Sequence, residues 1–159
     1  MIFVTVGSQK FQFNRLLIKI DEIIDKDIIK DKVYAQIGVS DYKPRNYEYT
    51  DFMSQDEFNK KLDECTLLIS HAGTGVIVNA VKRGKKVIAT PRLAKYGEHV
   101  DDHQIQLIKQ FDELNFIEPL YELDELEHKL KEIDNKSFKN YESNTDSIIE
   151  SVSDYIERG

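Results

Sequence analysis

The chain has 159 residues, the usual length of one domain and enough to bury a hydrophobic core. Its formal charge of −7 argues against a protein that coats nucleic acid, because phosphate backbones require a basic face. The single cysteine, Cys65, excludes an internal disulfide framework and fits a reducing compartment. No apolar run reaches the roughly 20 residues that span a bilayer, and MIFVTVG is too short for a signal peptide. We therefore expect a cytoplasmic protein.

Strand patterns alternate with helical patterns along the chain. Residues 2–6 form a continuous β-rich run that ends at Gly7, which is typical of a strand buried on both faces. Apolar residues then recur at helical spacing over 13–24 and predict a helix. Patterns of the same two kinds predict further strands at 33–37, 47–52, 66–70, 86–90 and 115–117, and further helices at 54–64, 76–83, 101–112, 123–133 and 142–157.

This alternation predicts the fold class. Strands separated by helices pair in parallel through right-handed crossovers, so we expect one α/β domain over residues 1–159 with a Rossmann-like, doubly wound parallel sheet. Ligands of such sheets bind beyond the carboxyl ends of the strands. The turns that follow Val6, Ser70 and Thr90 lie at that edge and are the places where we expect chemistry.

Two of these turns carry glycines. Gly7 follows the first strand together with Ser8 and Gln9. Free amides and the Ser8 hydroxyl could donate to a phosphate, although an ordinary strand-to-helix turn is the better explanation of this motif alone. The second turn, HAGTG at 71–75, precedes a helix whose unpaired amides and positive dipole end favour an anion. It is neither a P-loop nor a complete G-x-G-x-x-G motif. His71 either donates to a phosphate or is a satisfied residue at the sheet edge.

The third turn opens a polar loop, PRLAKYGEHVDDHQ, at 91–104. Its carboxylate and amide groups suit sugar hydroxyls, and Arg92 suits a diphosphate. A metal site built from His99, Asp102 and His103 is an alternative, because the two histidines are four positions apart. A loop of solvated charges is the third interpretation. We expect no metal and no cofactor.

The three motifs together resemble glycosyltransferase family 28. GSQ at 7–9, SHAGTG at 70–75 and TPR…KYGEHVDDHQ at 90–104 are similar to the C-terminal, donor-binding half of such GT-B enzymes. The chain resembles most the small stand-alone, PssE-like subunits of bacterial capsule and exopolysaccharide synthesis. These are similar to the catalytic subunit of the split eukaryotic enzyme that adds the second N-acetylglucosamine to a dolichol-linked sugar. The resemblance covers residues 1 to about 111.

The resemblance implies a site for a UDP-sugar donor. Relatives often place an acidic residue for the ribose hydroxyls where this chain has Asn79, so ribose recognition departs from the family pattern. The general base is either His99 or Glu98, or it comes from a partner. The other donor contacts that the resemblance implies are Gly7, Ser8 and Gln9 near the phosphates, His71, Ala72, Gly73, Thr74 and Gly75 around the diphosphate, Phe52 and Met53 beside uracil, and Asp102, His103 and Gln104 at the sugar.

The acceptor-binding half of a GT-B enzyme has no counterpart in 159 residues. The resemblance therefore implies a membrane-anchored partner subunit that brings a lipid-linked sugar acceptor, so that the chain is peripheral at the inner face of the membrane. Inverting transfer of galactose, or secondly of N-acetylglucosamine, with UDP leaving is the expected reaction. The alternatives are a non-catalytic nucleotide-sugar binding module and a metal-dependent hydrolase. Segment 142–157 is expected to dock on the partner, and homo-oligomerisation is left open.

Overall fold

A computed structural model describes residues 1–7, 10–99 and 101–140. The strands among these residues form one six-stranded sheet in the order β3-β2-β1-β4-β5-β6, and every neighbouring pair is parallel. The chain moves outward from β1 in one direction through β3 and then in the other direction from β4 to β6. The prediction of a Rossmann-like, doubly wound α/β fold is confirmed, and the strand order reverses between β1 and β4.

The elements follow the predicted alternation. The strands are β1 (Ile2–Thr5), β2 (Val33–Gln36), β3 (Glu48–Thr50), β4 (Leu67–His71), β5 (Lys86–Thr90) and β6 (Glu118–Pro119). The helices are α1 (Asn14–Asp25), α2 (Gln55–Glu64), α3 (Thr74–Lys82), α4 (His103–Glu113) and α5 (Leu126–Glu132). Short 3-10 helices lie at Ala94–Tyr96, Leu123–Glu125 and Ile133–Asn135.

Two hydrophobic cores cover the two faces of the sheet. Residues of α1 and α5 pack on one face against Ile2 and Val4, whereas α2, α3 and α4 pack on the other against Phe3. Successive side chains of β1 therefore point to opposite faces, and both faces are buried, which explains the continuous apolar runs of the central strands. Cys65 is buried in the second core, as a small hydrophobic residue would be.

The last strand is not where the sequence predicts it. The sequence predicts a strand at 115–117, but β6 lies at Glu118–Pro119 and pairs with Ile88 and Ala89. Asn115 adopts a left-handed conformation with φ 59° at the end of α4, and the amide of Phe116 donates to the carbonyl of Phe111. This Schellman geometry caps the helix, so residues 115–116 complete α4 instead of starting a strand.

Two helix boundaries differ from the prediction in ways that matter for the site. Helix α3 begins at Thr74 rather than at Val76, so Gly75 lies in its first turn. Helix α4 begins at His103, so Asp101 and Asp102 precede it instead of belonging to it. The single helix predicted at 123–133 is instead two 3-10 segments around α5. Ser8, Gln9 and the helix predicted at 142–157 lie outside the described residues.

Candidate functional site

A cleft of about 470 Å³ opens at the carboxyl edge of the sheet, where the strand order reverses. Its floor is formed by the ends of β1, β2 and β4, and its walls by the beginnings of α2 and α3. Doubly wound sheets bind their ligands at this position. The lining residues are Thr5, Gly7, Gln36, Met53, Gln55, Phe58, His71, Gly73, Thr74, Gly75, Val76 and Asn79.

The ring of His71 fills the space between two glycine turns. A Cβ atom on Gly7 would come within 2.6 Å of the His71 Nε2, and a Cβ on Gly73 would lie closer still to the Cε1. Both glycines are therefore required for close approach to the ring. Gly7 also has a φ of 80°, which disfavours any other residue. The imidazole is consequently 6% exposed although it lies beside an open cleft.

The first turn of α3 presents uncapped amides to this cleft. Gly73 is the N-cap residue and has no side chain to accept a hydrogen bond, and the first helical hydrogen bond runs from the amide of Ile77 to the carbonyl of Gly73. The amides of Thr74, Gly75 and Val76 therefore have no partner within the helix. Together with the positive end of the helix dipole, they form a site for an anion.

Several buried polar side chains at this edge have no hydrogen-bond partner among the described residues. They are Ser70, both ring nitrogens of His71, and the three guanidinium nitrogens of Arg92. Burial, followed by the nearby positive charges of Arg92 and His99, lowers the pKa of His71 to about 3. The imidazole is therefore neutral at physiological pH.

The side chain of Arg92 is buried and does not line the cleft. Its guanidinium lies 5.8 Å from the centre of the Phe13 ring, and none of its side chain is exposed. Burial lowers the pKa of Arg92 to about 10, and the negative charge of Glu98 opposes this shift. Its backbone amide donates to the Oε1 of Gln104 at 2.8 Å. The side chain of Gln104 thus anchors the backbone at the end of β5.

The loop is also tied to α1. The guanidinium of Arg15 donates through Nε and Nη2 to the two carboxylate oxygens of Glu98, at 2.9 Å each. The amide of Leu93 donates to the same carboxylate at 3.0 Å, and Glu98 is 1% exposed. Both carboxylate oxygens are therefore engaged, and the contacts of Glu98 bring the loop against α1. In addition, the side-chain Nε2 of Gln12 donates to the backbone carbonyl of Tyr96 at 3.0 Å.

The remaining loop side chains lie around the start of α4. Asp102 accepts a hydrogen bond from the amide of Ala94 at 2.9 Å. Asp101 accepts one from the amide of His103 at 3.0 Å, which is the largest cause of the lowered pKa of this carboxyl group. The ring of His99 packs 5.5 Å from the ring of Phe11, measured between centres. No three His, Cys, Asp or Glu side chains within the described ranges are arranged to hold a metal ion.

Asn79 lines the cleft but is already hydrogen-bonded on both sides. Its Nδ2 donates to the Oδ1 of Asn59 at 2.9 Å, and its Oδ1 accepts from the Nε of Arg83 at 2.9 Å. The Nε2 of Gln55, at the start of α2, donates to the same Oδ1 of Asn59. This side of the cleft is therefore a chain of amide groups rather than a carboxylate.

The structure brings about half of the predicted site together. Seven residues from four parts of the chain line one cleft: Gly7, Met53, His71, Gly73, Thr74, Gly75 and Asn79. The cleft does not include Ala72, which is buried in the core, or Phe52, which is 50% exposed. It also does not include Arg92, Glu98, His99, Asp102, His103 and Gln104.

Five lining residues are absent from the sequence prediction: Thr5, Gln36, Gln55, Phe58 and Val76. Thr5 and Gln36 had a detectable signal, because each is a polar residue at the carboxyl end of a buried strand. Burying a polar side chain at such a position is costly unless the polar group has a hydrogen-bond partner.

Within the described part of the chain, no helix is long and apolar enough to cross a membrane.

Known proteins resemble the chain in sequence and in fold. It is 28% identical over 112 residues to the UDP-N-acetylglucosamine transferase subunit ALG13 of Candida albicans, across 70% of this chain and 36% of that protein. The chain thus spans about a third of the length of this curated relative. It superposes on the solution NMR structure of ALG13 with a TM-score of 0.60 and 19% identity over 96% of both chains.

Two longer proteins of known structure share the fold. The TM-score is 0.64 for the glycotransferase of kitacinnamycin and 0.59 for Acinetobacter baumannii MurG, both at 16% identity and over 99% of this chain. The matches cover 38% and 49% of those proteins. At such identities the likeness shows the fold alone. The sequence profile of the glycosyltransferase family 28 C-terminal domain matches residues 1–158, and the chain therefore belongs to this family.

Proposed function

We propose that this chain is the donor-binding and catalytic subunit of a two-component, UDP-sugar-dependent hexosyltransferase. The observation that carries the proposal is the uncapped first turn of α3, which opens into the cleft at the strand-order reversal of a family 28 domain. The diphosphate of the donor would accept hydrogen bonds from the amides of Thr74, Gly75 and Val76. These amides, with the helix dipole, would stabilise the negative charge that develops on UDP as it leaves.

The rest of the donor is expected to follow the cleft and the loop. The nucleoside would extend along the sheet edge toward Met53 and Phe52, with the amide groups around Asn79 beside the ribose. The proposed contacts of the transferred sugar are Asp102, His103 and Gln104. The proposed contacts near the phosphates are Ser8 and Gln9. Contact between Arg92 and the diphosphate would require the guanidinium to leave its buried position.

An inverting displacement requires a base that deprotonates the acceptor hydroxyl. We propose His99 of this chain, or a residue of the partner, for this role. Glu98 is a weaker candidate than His99, because the Arg15 guanidinium engages both of its oxygens. The reaction is proposed to proceed without a metal ion, since the α3 amides and the helix dipole would take the place of a cation at the diphosphate.

We further propose that the acceptor is a lipid-linked sugar, brought by a membrane-anchored partner in capsule or exopolysaccharide synthesis. The chain would then work at the cytoplasmic face of the membrane, with segment 142–157 docked on the partner. The Candida albicans relative is a UDP-N-acetylglucosamine transferase subunit. UDP-N-acetylglucosamine is therefore to be assayed beside UDP-galactose, whose sugar is the first expectation from the resemblance.

Calorimetric titration tests donor binding. UDP and a UDP-hexose are expected to bind saturably, in the micromolar to millimolar range, in buffer containing a chelator. Folded protein that gives no heat with either compound, and no displacement of one by the other, would contradict the proposed donor site.

Transfer is tested by adding the chain to membranes that carry the partner, with labelled UDP-galactose or UDP-N-acetylglucosamine. Label is expected in the lipid fraction only when both components are present. Asp102→Ala and Gln104→Ala are expected to lower transfer about tenfold each, through lost hydrogen bonds to the sugar. Asp112→Ala, on the exposed side of α4, is the matched control and should keep full activity. Undiminished transfer by both Asp102→Ala and Gln104→Ala would refute the sugar contacts.

One observation favours a second candidate, a nucleotide-sugar binding module without catalysis. Of the two candidate bases, Glu98 is tied to Arg15, and the Nδ1 of His99 lies 3.3 Å from the Asp101 carboxylate. Binding of UDP-hexose that is never followed by transfer, in membranes shown to contain the partner and acceptor, would select this alternative.

A further inference from the structure

Gln36 is a buried polar residue on the floor of the cleft. It is the last residue of β2, pairs in register with Thr5 of β1, and is 5% exposed. The residue nevertheless lines the cleft together with His71 and Met53. A carboxamide at this depth requires hydrogen-bond partners, because an unsatisfied buried donor costs about 1–3 kcal/mol.

A chain of hydrogen bonds fixes the orientation of this carboxamide. The amide of Gly7 donates to the Oγ1 of Thr5 at 3.2 Å, and the Thr5 hydroxyl donates to the Oε1 of Gln36 at 2.9 Å. The opposite amide orientation would direct two donors at the Thr5 oxygen and leave its proton without an acceptor. The oxygen of Gln36 therefore faces β1, and the Nε2 is the end left to the cleft.

The Nε2 of Gln36 makes no hydrogen bond to any residue within 1–7, 10–99 and 101–140. Its oxygen is occupied by a hydroxyl that itself accepts from Gly7, and such chains polarise the remaining donor. Gln36 therefore offers a pre-oriented, neutral N–H donor from the floor of the cleft. Orientation fixed in advance reduces the entropy that a ligand loses on binding.

Gln36 lies two strands away from β4, in the direction of β3. At roughly 4.8 Å between neighbouring strands, it is about 10 Å along the sheet edge from the strand that leads into α3. A diphosphate bound at the first turn of α3 would therefore leave Gln36 to the nucleoside rather than to the phosphates. A nucleoside presents carbonyl and hydroxyl oxygens, which are acceptors for an N–H donor.

We infer that the Nε2 of Gln36 donates a hydrogen bond to an oxygen of the nucleoside of the donor, and so determines nucleotide affinity. This inference rests on the proposed donor-binding function. Gln36 lies on β2, outside the motifs at 7–9, 70–75 and 90–104. The role is one of binding, with no step in bond breaking.

Two variants separate this role from a purely structural one. Gln36→Glu keeps an oxygen for the Thr5 hydroxyl but replaces the N–H donor with a carboxylate oxygen, whose charge is itself costly at a position 5% exposed. Gln36→Met removes the donor without adding charge. We expect both variants to weaken UDP binding about tenfold or more in calorimetric titration, at unchanged far-ultraviolet circular dichroism. Gln106→Met is the matched control, because Gln106 is an exposed residue of α4 that does not line the cleft, and it should bind within about twofold of wild type.

Binding of inorganic diphosphate shows which part of the ligand Gln36 contacts. Gln36→Met is expected to bind inorganic diphosphate within about twofold of wild type, while its affinity for UDP falls. Equal losses of affinity for UDP and inorganic diphosphate would overturn the inference, and so would wild-type UDP affinity in both Gln36→Glu and Gln36→Met. Neither result would contradict the proposed donor site. Wild-type protein that binds neither UDP nor UDP-hexose would overturn the proposed function and this inference with it.

Discussion

Replacing Gly7 with alanine is expected to lower the free energy of unfolding by about 3 kcal/mol. The left-handed φ of 80° at this position costs roughly 1–2 kcal/mol in any residue with a Cβ. The added methyl group would also lie 2.6 Å from the Nε2 of His71. The backbone of Gly73 also lies close to this ring, because a Cβ at Gly73 would come nearer still to the Cε1. Overpacking of this kind adds about 1–3 kcal/mol.

Urea denaturation followed by far-ultraviolet circular dichroism measures this loss, since the chain contains no tryptophan. Gly75→Ala is the matched control in the same turn. A Cβ at Gly75 meets no atom within 4 Å, and the position is helical with an ordinary φ. Alanine there is expected to leave stability unchanged or to raise it by up to about 1 kcal/mol. Equal destabilisation by the two variants would contradict the packing of His71 between the glycine turns.

Acid is expected to destabilise the protein through His71. The folded-state pKa of about 3 lies below the ordinary value of 6.5, so the unfolded chain takes up the proton first as the pH falls. The stability contributed by the neutral imidazole is complete above pH 6.5 and is lost as the pH falls toward 3. The slope from this one group approaches about 1.4 kcal/mol for each pH unit.

Comparison with His71→Asn isolates this contribution, because carboxyl groups also titrate in acid. Between pH 7 and pH 5, the variant is expected to lose less stability than the wild type, whatever its absolute stability at pH 7. His128→Asn is the control for replacing a histidine by asparagine, since His128 lies on the exposed face of α5. Parallel pH profiles for wild type and His71→Asn would show that His71 is not buried as a neutral ring.

The architecture could be predicted because its signals are local. The apolar run of β1 and the helical spacing in α1 each follow from side-chain periodicity within a few residues. The displaced β6 shows that side-chain periodicity alone does not determine where an element begins. Phe116 and Ile117 are apolar and buried, as strand residues would be, but the left-handed Asn115 makes the chain finish α4 first. A capping geometry decided the boundary against the apolar pattern.

The site was only half predictable, because its polar partners are distant in sequence. Glu98 pairs with Arg15, 83 residues away, and no motif in the loop contains that partner. Gln104 has the polarity of a sugar ligand, yet its side chain also holds the backbone of Arg92. The glycine turn at 71–75 was found because a helix N-terminus is a local feature, whereas the contribution of Gln36 depends on which strand pairs with β1.

UDP binding at the first turn of α3 is tested most directly by titrating nitrogen-15-labelled protein with UDP and following the amide chemical shifts. The largest shifts are expected at Gly73, Thr74 and Gly75, with smaller ones at Gln36. A second depression of about 340 Å³ lies elsewhere on the surface, beside Lys86, and provides the comparison within the same spectrum. Shifts confined to that depression, or no shifts in the first turn of α3 at saturating UDP, would contradict donor binding at this turn.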